Sequence, residues 1–335
     1  MIKWDLRKFD PELYFIWTLI DKKFRDFRGF QTTEFSSGQL DWRKILAYAR
    51  ISRGVLYKLG QEVIKMEMVN IDFQTIQSLQ LEIEKGNQNL MRLHKTLKTI
   101  KNLWDGQVDY YLIKTRDDRP TGDADVLFLT KNDYEAAISI ALQNYYKFVR
   151  EEPFKGWIEV KDGVKIELHH GLSWFGMKVL DNDFVGSKTR NVELMNLAFR
   201  TISGEAELAL ELAHWILDIQ PLGPMGFSNL ISVVETNNSW TDVVYQAEKY
   251  GWADQLSYHL SILNVLCKHV YHFQLDLPVT LCNPRIEPSF PFWTPSHIKI
   301  PFLANKVLQD NEGFFQKLNM LQLALRRYVW TRISE

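Results

Sequence analysis

The hydrophobic pattern of this chain changes period twice along its 335 residues, and that change limits the fold more than any other feature. Up to Trp104 the apolar side chains recur at the three-and-four spacing of helices, most regularly from Phe73 onward, with Gly86 as an expected break or kink. Alternating runs typical of strands follow, and helical spacing returns near residue 191. The sequence therefore predicts an α+β fold with an N-terminal helical domain that ends in a long connector helix (1–104), a small mixed-sheet α/β core (105–190) and a C-terminal helical domain (191–335).

The N-terminal part carries a local excess of positive charge. Leu40–Ala49 predicts an apolar helix and Arg53–Lys65 a basic one, with a break at Arg50–Ser52 and Ser52 as the expected N-cap. This arrangement is typical of a helix-turn-helix, and basic helices contact the phosphates of nucleic acids. A small helical bundle with a solvated basic face predicts the same pattern, so both interpretations stay open. The candidate nucleic-acid-binding residues are Arg43, Lys44, Arg50, Arg53 and Lys58.

The central part combines strands, a helix and a hairpin. Strands are predicted at Asp109–Lys114 and Ala124–Leu129, and a helix at Asn132–Leu142. Asp162–Gly163 lies between two apolar runs, and Asp-Gly is a strong hairpin signal because both positions of a tight turn take positive φ. The sequence therefore predicts a hairpin with strands Trp157–Lys161 and Val164–Leu168.

Side chains that bear chemistry alternate along two of these strands. Asp123 and Asp125 are two residues apart at the start of a buried strand, so both project from the same face. Lys165, Glu167 and His169 likewise share one face after the hairpin. Carboxylates this close repel each other unless cations neutralise them, and Mg²⁺ prefers carboxylate and phosphate oxygens. The opposite face of the second strand carries the apolar residues Val164, Ile166 and Leu168.

Taken in order, these elements resemble the nucleotidyltransferase fold shared with polymerase β, in which a strand with two acids is followed by a third acid on a later strand. The sequence also resembles the uncharacterised nucleotidyltransferase-like families common in archaea. The resemblance covers about residues 105 to 230. It rests on YYLIKT at Tyr110–Thr115, DADVLF at Asp123–Phe128, IELHHGLSW at Ile166–Trp174 and EAELALELAHWIL at Glu205–Leu217.

The resemblance implies a metal-dependent nucleotidyltransferase with a two-metal mechanism. Asp123 and Asp125 would hold two Mg²⁺ or Mn²⁺ ions, and Glu167 would complete one metal site and help to deprotonate the attacking hydroxyl. The hydroxyl would attack the α-phosphate of a nucleoside triphosphate (NTP) such as ATP, and pyrophosphate would leave. The acceptor stays open among RNA, DNA, a protein and a small molecule.

One departure from the superfamily pattern affects the phosphate site. The superfamily carries a Gly-Ser or Gly-Gly pair whose backbone amides hold the phosphates, whereas this chain has Lys114, Thr115 and Arg116 there. Phosphate binding would then depend on side chains. The predicted substrate-binding residues are Lys114, Thr115, Arg116, Arg119, Lys165 and His169.

Charge and composition exclude some classes of protein and leave two alternatives. The 40 Lys and Arg residues balance 41 Asp and Glu residues, which excludes a histone-like protein but not a local basic surface. One alternative is a non-catalytic nucleic-acid-binding protein that keeps the nucleotidyltransferase fold as a scaffold. The other is a toxin-like nucleotidyltransferase that modifies tRNA or a partner protein. The charged N-terminus, the two cysteines and the lack of a long apolar run predict a cytoplasmic protein without a membrane partner.

Overall fold

The structure is a computed structural model. The residues that it describes are 11–20, 40–51, 54–66, 71–115, 120–152, 155–174, 177–217, 224–236, 239–268 and 277–278. The chain divides into two compact units. Unit 1 comprises residues 1–88, 220–235 and 257–293, and unit 2 comprises 89–219, 236–256 and 294–335. The three-part domain division expected from the sequence stays a prediction.

Unit 1 is helical over its described residues. Its helices pack around Phe15, Ile16, Ile45 and Leu59, all of which are almost fully buried. The helices are α1 (Pro11–Ile20), α2 (Trp42–Ile51), α3 (Val55–Lys65), the first half of α4 (Phe73–Trp104), α8 (Pro224–Thr236) and most of α10 (Ala253–Leu266).

Two details of unit 1 differ from the sequence predictions. Helix α3 begins after Gly54, whose φ of 79° is left-handed, and not after Ser52. Helix α4 runs without a break through Gly86, and this glycine makes room for the ring of Tyr57. The α2–α3 pair is the segment predicted as a helix-turn-helix, and its role in nucleic-acid binding stays a prediction.

Unit 2 contains a five-stranded mixed sheet in the order β1-β2-β5-β4-β3. Strands β2 and β5 pair in parallel, and every other neighbouring pair is antiparallel. This confirms a mixed α and β fold with a small mixed sheet. The strands are β1 (Tyr111–Ile113), β2 (Asp123–Phe128), β3 (Phe148–Glu152), β4 (Lys155–Ile158) and β5 (Lys165–His170).

One face of this sheet is apolar and is covered by helices. Ala124, Val126, Ile166 and Leu168 lie in one buried cluster with residues of the second half of α4 and of α5 (Lys131–Gln143). Trp104 of α4 packs edge-on against Phe128 with ring centroids 5.6 Å apart, and its Nε1 donates to the Ala137 carbonyl at 3.1 Å. Because side chains alternate along a strand, this packing turns the polar side chains of β2 and β5 to the other face.

Two turns of unit 2 differ from what the sequence predicts. The predicted hairpin joins β4 and β5, but only Asp162 of its Asp-Gly pair has positive φ, at 55°, and the Gly163 N–H donates to the Val160 carbonyl. The helical spacing expected from residue 191 is wrong locally, because β8 (Thr189–Leu194) and β9 (Leu197–Ile202) form an antiparallel hairpin. Its turn residues Met195 and Asn196 both have positive φ, at 50° and 63°.

Five further elements of unit 2 are described, and α7 among them carries the segment EAELALELAHWIL. These elements are β6 (Ser173–Trp174), β7 (Met177–Lys178), α6 (Asn182–Gly186), α7 (Gly204–Leu217) and α9 (Thr241–Lys249).

Among the described residues, no helix combines the length and apolar composition needed to cross a membrane.

A polar network around Asp181 connects α9 with the segment that leads into α6. The Asp181 carboxylate accepts from Lys249 Nζ and from the Tyr250 hydroxyl, each at 2.5 Å, and its backbone N–H donates to Gln246 Oε1 at 2.9 Å. Burial raises the pKa of Asp181, but the hydrogen bonds from Lys249, Tyr250 and Gln246 outweigh burial and hold that pKa well below its ordinary value.

Replacing Gly86 by alanine is expected to destabilise the protein although alanine favours helices. A Cβ at this position would lie 2.1 Å from Cδ2 and 2.8 Å from Cγ of Tyr57, so the ring itself would have to move. Overpacking costs about 1–3 kcal/mol, against roughly 1 kcal/mol gained from replacing glycine in a helix. Urea denaturation should show a lower free energy of unfolding for Gly86→Ala than for Gln88→Ala, an exposed control in the same helix. Stabilisation by Gly86→Ala would contradict the contact with Tyr57.

Replacing Asp181 by asparagine is expected to lower thermal stability at pH 7 more than at pH 3. A depressed carboxyl pKa contributes stability above the ordinary value of 3.8, and this contribution is lost as the pH falls towards the folded-state value. Thermal unfolding followed by circular dichroism at both pH values measures the difference between Asp181→Asn and wild type. An equal difference at pH 7 and pH 3 would show that the charge of Asp181 does not stabilise the fold.

Candidate functional site

The parallel pairing of β2 with β5 places the predicted site residues opposite one another. In this register Asp123 pairs with Lys165, and Asp125 pairs with Glu167. Residues directly opposite on neighbouring strands project from the same face, with backbones about 4.8 Å apart. The polar side chains of both strands therefore lie together on the face opposite the buried core.

Asp125, Glu167 and His169 form the centre of this group. Each offers one ligand atom, and these three atoms lie within 4.8 Å of one another. His169 Nε2 lies 2.7 Å from Asp125 Oδ1 and 4.0 Å from Glu167 Oε2. The three side chains are only 10–13% exposed. Within the described part of the chain, no other group of three carboxylate, histidine or cysteine side chains meets so closely.

Asp123 lies on the same face but outside this close group. Burial raises its pKa, and the negative charges of Asp125 and Glu167 raise it further, while Lys165 and Lys114 oppose this. The structure thus brings together two of the three predicted acids and adds His169 as a third donor. The assignment of Asp123 as a metal ligand stays a prediction.

Three lysines neutralise the central carboxylates. Lys114 Nζ lies 3.5 Å from Asp125 Oδ1, Lys155 Nζ lies 2.8 Å from Glu167 Oε2, and Lys165 contacts Glu167 Oε1. Burial raises the pKa of Asp125, but the charge of Lys114 and the hydrogen bond with His169 outweigh it, so the pKa lies well below its ordinary range. Burial and the repulsion from Asp125 raise the pKa of Glu167, but the charge of Lys155 and the hydrogen bonds from Lys155 and Lys165 outweigh them, so this pKa is lowered too.

The position of Lys114 depends on an uncommon backbone conformation. It follows β1 with a φ of 56°, a left-handed value that non-glycine residues seldom adopt. Such strain is found where surrounding contacts fix a residue, often at functional sites. Here it accompanies the contact between the Lys114 ammonium and Asp125.

Lys155 is the site residue that the sequence analysis missed. It begins β4, and its Cα pairs with His169 of β5, which puts it on the same face as the carboxylates. The sequence of β4 alone does not indicate that Lys155 belongs to the site. Lys155 reaches the carboxylates only because β4 pairs with β5.

The other predicted site residues are outside this group or outside the described residues. Thr115 is half-buried, and its hydroxyl donates to the Ile113 carbonyl at 3.2 Å. In unit 1, Arg43 and Arg50 are exposed and Lys58 is half-buried, whereas Lys44 forms an ion pair with Glu12 at 3.0 Å. Residues outside the described part of the chain are Arg53, Arg116 and Arg119.

The donor set fits a hard divalent cation. Carboxylate oxygens are the ligands that Mg²⁺ and Mn²⁺ prefer, and Asp125 and Glu167 supply them from adjacent strands. The imidazole of His169 orients Asp125 through the 2.7 Å contact of Nε2, and this nitrogen would bind a metal only in place of that contact. Both ions accept this donor set.

Comparisons with known proteins add little to this geometry. No family model matches the chain, and no curated protein matches it in sequence. A solved structure, described as the crystal structure of an antigenic nucleotidyltransferase-like protein from Paracoccidioides brasiliensis, aligns at 10% identity over 58% of this chain and 96% of that chain. The TM-score is 0.36, too low to support a conclusion about fold or function. The resemblance to nucleotidyltransferase families common in archaea stays a prediction.

The two aspartates of β2 are expected to affect stability in opposite directions when metal is removed with EDTA. The raised pKa of Asp123 means that its charge is disfavoured in the folded state at pH 7, so Asp123→Asn should raise the thermal midpoint. Asp125→Asn leaves Lys114 and His169 without their anionic partner, and breaking a buried pair costs about 3 kcal/mol. Thermal unfolding at pH 7 measures both variants.

Asp162→Asn is the control for these two variants, because Asp162 is 72% exposed. Asparagine tolerates its positive φ, so the midpoint should stay near that of wild type. A loss of stability in Asp123→Asn as large as that in Asp125→Asn would contradict the electrostatic difference between the two positions.

Proposed function

We propose that this chain is a metal-dependent nucleotidyltransferase that transfers a nucleoside monophosphate from an NTP to a hydroxyl acceptor. The observation that supports the proposal is the convergence of Asp125, Glu167 and His169 within 4.8 Å on adjacent strands. The three lysines beside them supply the positive charge that a triphosphate requires.

Asp125 and Glu167, together with Asp123, would hold Mg²⁺ or Mn²⁺. Such ions lower the pKa of the attacking hydroxyl and balance the charge on the triphosphate and the leaving pyrophosphate. The lowered pKa values of Asp125 and Glu167 keep both carboxylates ionised at neutral pH, as cation binding requires.

The remaining site residues bind and orient the substrate. Lys114, at the end of β1, and Lys165, at the start of β5, place ammonium groups on either side of β2, where they can contact phosphate oxygens. His169 fixes the orientation of the Asp125 carboxylate. Glu167 accepts a hydrogen bond from the acceptor hydroxyl and so positions it for attack on the α-phosphate.

The lysine contacts also favour a second candidate function. Carboxylates that are already neutralised by Lys114, Lys155 and Lys165 form a stable group without metal. This is the arrangement expected of a non-catalytic nucleic-acid-binding protein that retains the fold as a scaffold. A toxin-like enzyme acting on tRNA or on a partner protein is a narrower form of the first proposal, and the acceptor distinguishes it.

The transfer reaction can be tested with labelled nucleotides. The full chain is incubated with each α-labelled NTP, Mg²⁺ or Mn²⁺ and cell extract, and the label is then measured in nucleic acid, protein and small molecules. We expect transfer from the α-labelled NTP but not from its γ-labelled form, because pyrophosphate leaves. Asp125→Asn and Glu167→Gln should each reduce transfer by at least about 100-fold, because metal ligands contribute several kcal/mol to the transition state.

The matched control is Glu159→Gln, which removes an exposed carboxylate from the β4–β5 connection and should leave transfer unchanged. Transfer of the γ-label would indicate a kinase instead. Absence of transfer with every NTP and both metals would contradict the enzyme and favour the scaffold.

A further inference from the structure

Lys155 lies where the ligand atoms of the candidate metal site converge. Its Nζ is 2.8 Å from Glu167 Oε2, and its side chain is 19% exposed. The same Glu167 oxygen faces His169 Nε2 at 4.0 Å. The charge of Lys155 also makes a small contribution to lowering the pKa of Asp125. Lys155 therefore contacts the Glu167 oxygen that faces His169.

Both oxygens of Glu167 contact ammonium groups. Lys165 contacts Oε1, and Lys155 contacts Oε2. A divalent cation that coordinates Oε2 would share this oxygen with the Lys155 ammonium, and two cations at one oxygen repel each other. Metal binding through this oxygen therefore competes with the Lys155 contact and favours movement of the ammonium away from it.

Lys155 differs from Lys165 in how strongly solvent screens its ion pair. The Lys165 side chain is 40% exposed, and exposed ion pairs contribute little. The Lys155 side chain is half as exposed, and its partner Glu167 is 10% exposed. Of the two lysines on Glu167, Lys155 is thus the stronger competitor with a metal ion.

We infer that Lys155 is an exchangeable counterion of the site, an inference that rests on the proposed function. Without metal it neutralises Glu167, and when the cation and a polyphosphate bind it moves from Glu167 to a phosphate oxygen. The flexible four-carbon chain of lysine permits this movement, and the displaced ammonium finds a new anion in the polyphosphate. Metal and nucleotide then bind cooperatively, since each makes the exchange more favourable for the other.

The first test is Mn²⁺ binding by electron paramagnetic resonance to the full chain at pH 7.5 without nucleotide. Removing the competing ammonium in Lys155→Met or Lys155→Gln should tighten Mn²⁺ binding about tenfold, the effect of one charged hydrogen bond. Lys155→Arg keeps the charge and should bind Mn²⁺ as wild type does. The control is Lys147→Met, because Lys147 pairs with Glu159 at 3.8 Å in the same hairpin.

The second test is binding of inorganic tripolyphosphate by calorimetry at saturating Mn²⁺, which does not depend on the identity of the base. Lys155→Met and Lys155→Gln should bind it about tenfold more weakly, because the ammonium that contacts phosphate is lost. Lys155→Arg and Lys147→Met should bind it with the affinity of wild type. Two neutral variants are used so that a folding defect in one, detected by circular dichroism, leaves the other informative.

The two tests separate the failure of Lys155 from the failure of the proposed function. Tighter Mn²⁺ binding together with weaker tripolyphosphate binding supports the exchange, and a purely structural lysine would not produce these opposite changes. Mn²⁺ binding that is equal in wild type and both neutral variants overturns the role of Lys155 alone. Lack of Mn²⁺ binding in wild type and both variants overturns the metal-dependent function and, with it, the exchange.

Discussion

The parallel pairing of β2 with β5 is the interaction on which the site depends. It sets Asp125 directly opposite Glu167 and turns both side chains to one face. A shift of one residue in either strand would send that strand's polar side chains into the core and its apolar ones to the site. The register is therefore fixed by burial on one face as much as by hydrogen bonds. This register in turn determines the positions of Asp125 and Glu167 on the other face.

Apolar packing beneath the sheet supplies the energy that fixes this register. Val126 and Leu168 are fully buried against a cluster that includes Leu97 and Trp104 of α4 and Ala137 of α5. Thr96 of α4 also bonds to the strand that bears Glu167, since its hydroxyl both donates to the Val164 carbonyl and accepts from the Val164 N–H. A helix outside the site thus anchors the chain at the start of β5, three residues before the central glutamate.

The sequence predicted the features that depend on local periodicity and missed those that depend on which strands are neighbours. The bounds of α4, the shared face of Asp123 and Asp125 on β2 and the shared face of Glu167 and His169 on β5 follow from periods of 3.6 and 2, which can be read from one segment at a time. Lys155 joins the site only because β4 is hydrogen-bonded to β5. The β8–β9 hairpin escaped prediction because its turn at Met195–Asn196 lacks the glycine typical of such turns.

Stability alone does not explain the charges of this site. Lys114 and His169 compensate Asp125, and Lys155 and Lys165 compensate Glu167, but the charge of Asp123 stays disfavoured by burial and by both neighbouring acids. Buried ion pairs are weak contributors to stability, and an apolar replacement of similar volume is often as good. The negative charge of Asp123 is not fully balanced by the nearby lysines, so a bound cation would stabilise this group of acids. This charge pattern favours a cation-binding site over a purely structural network of ion pairs.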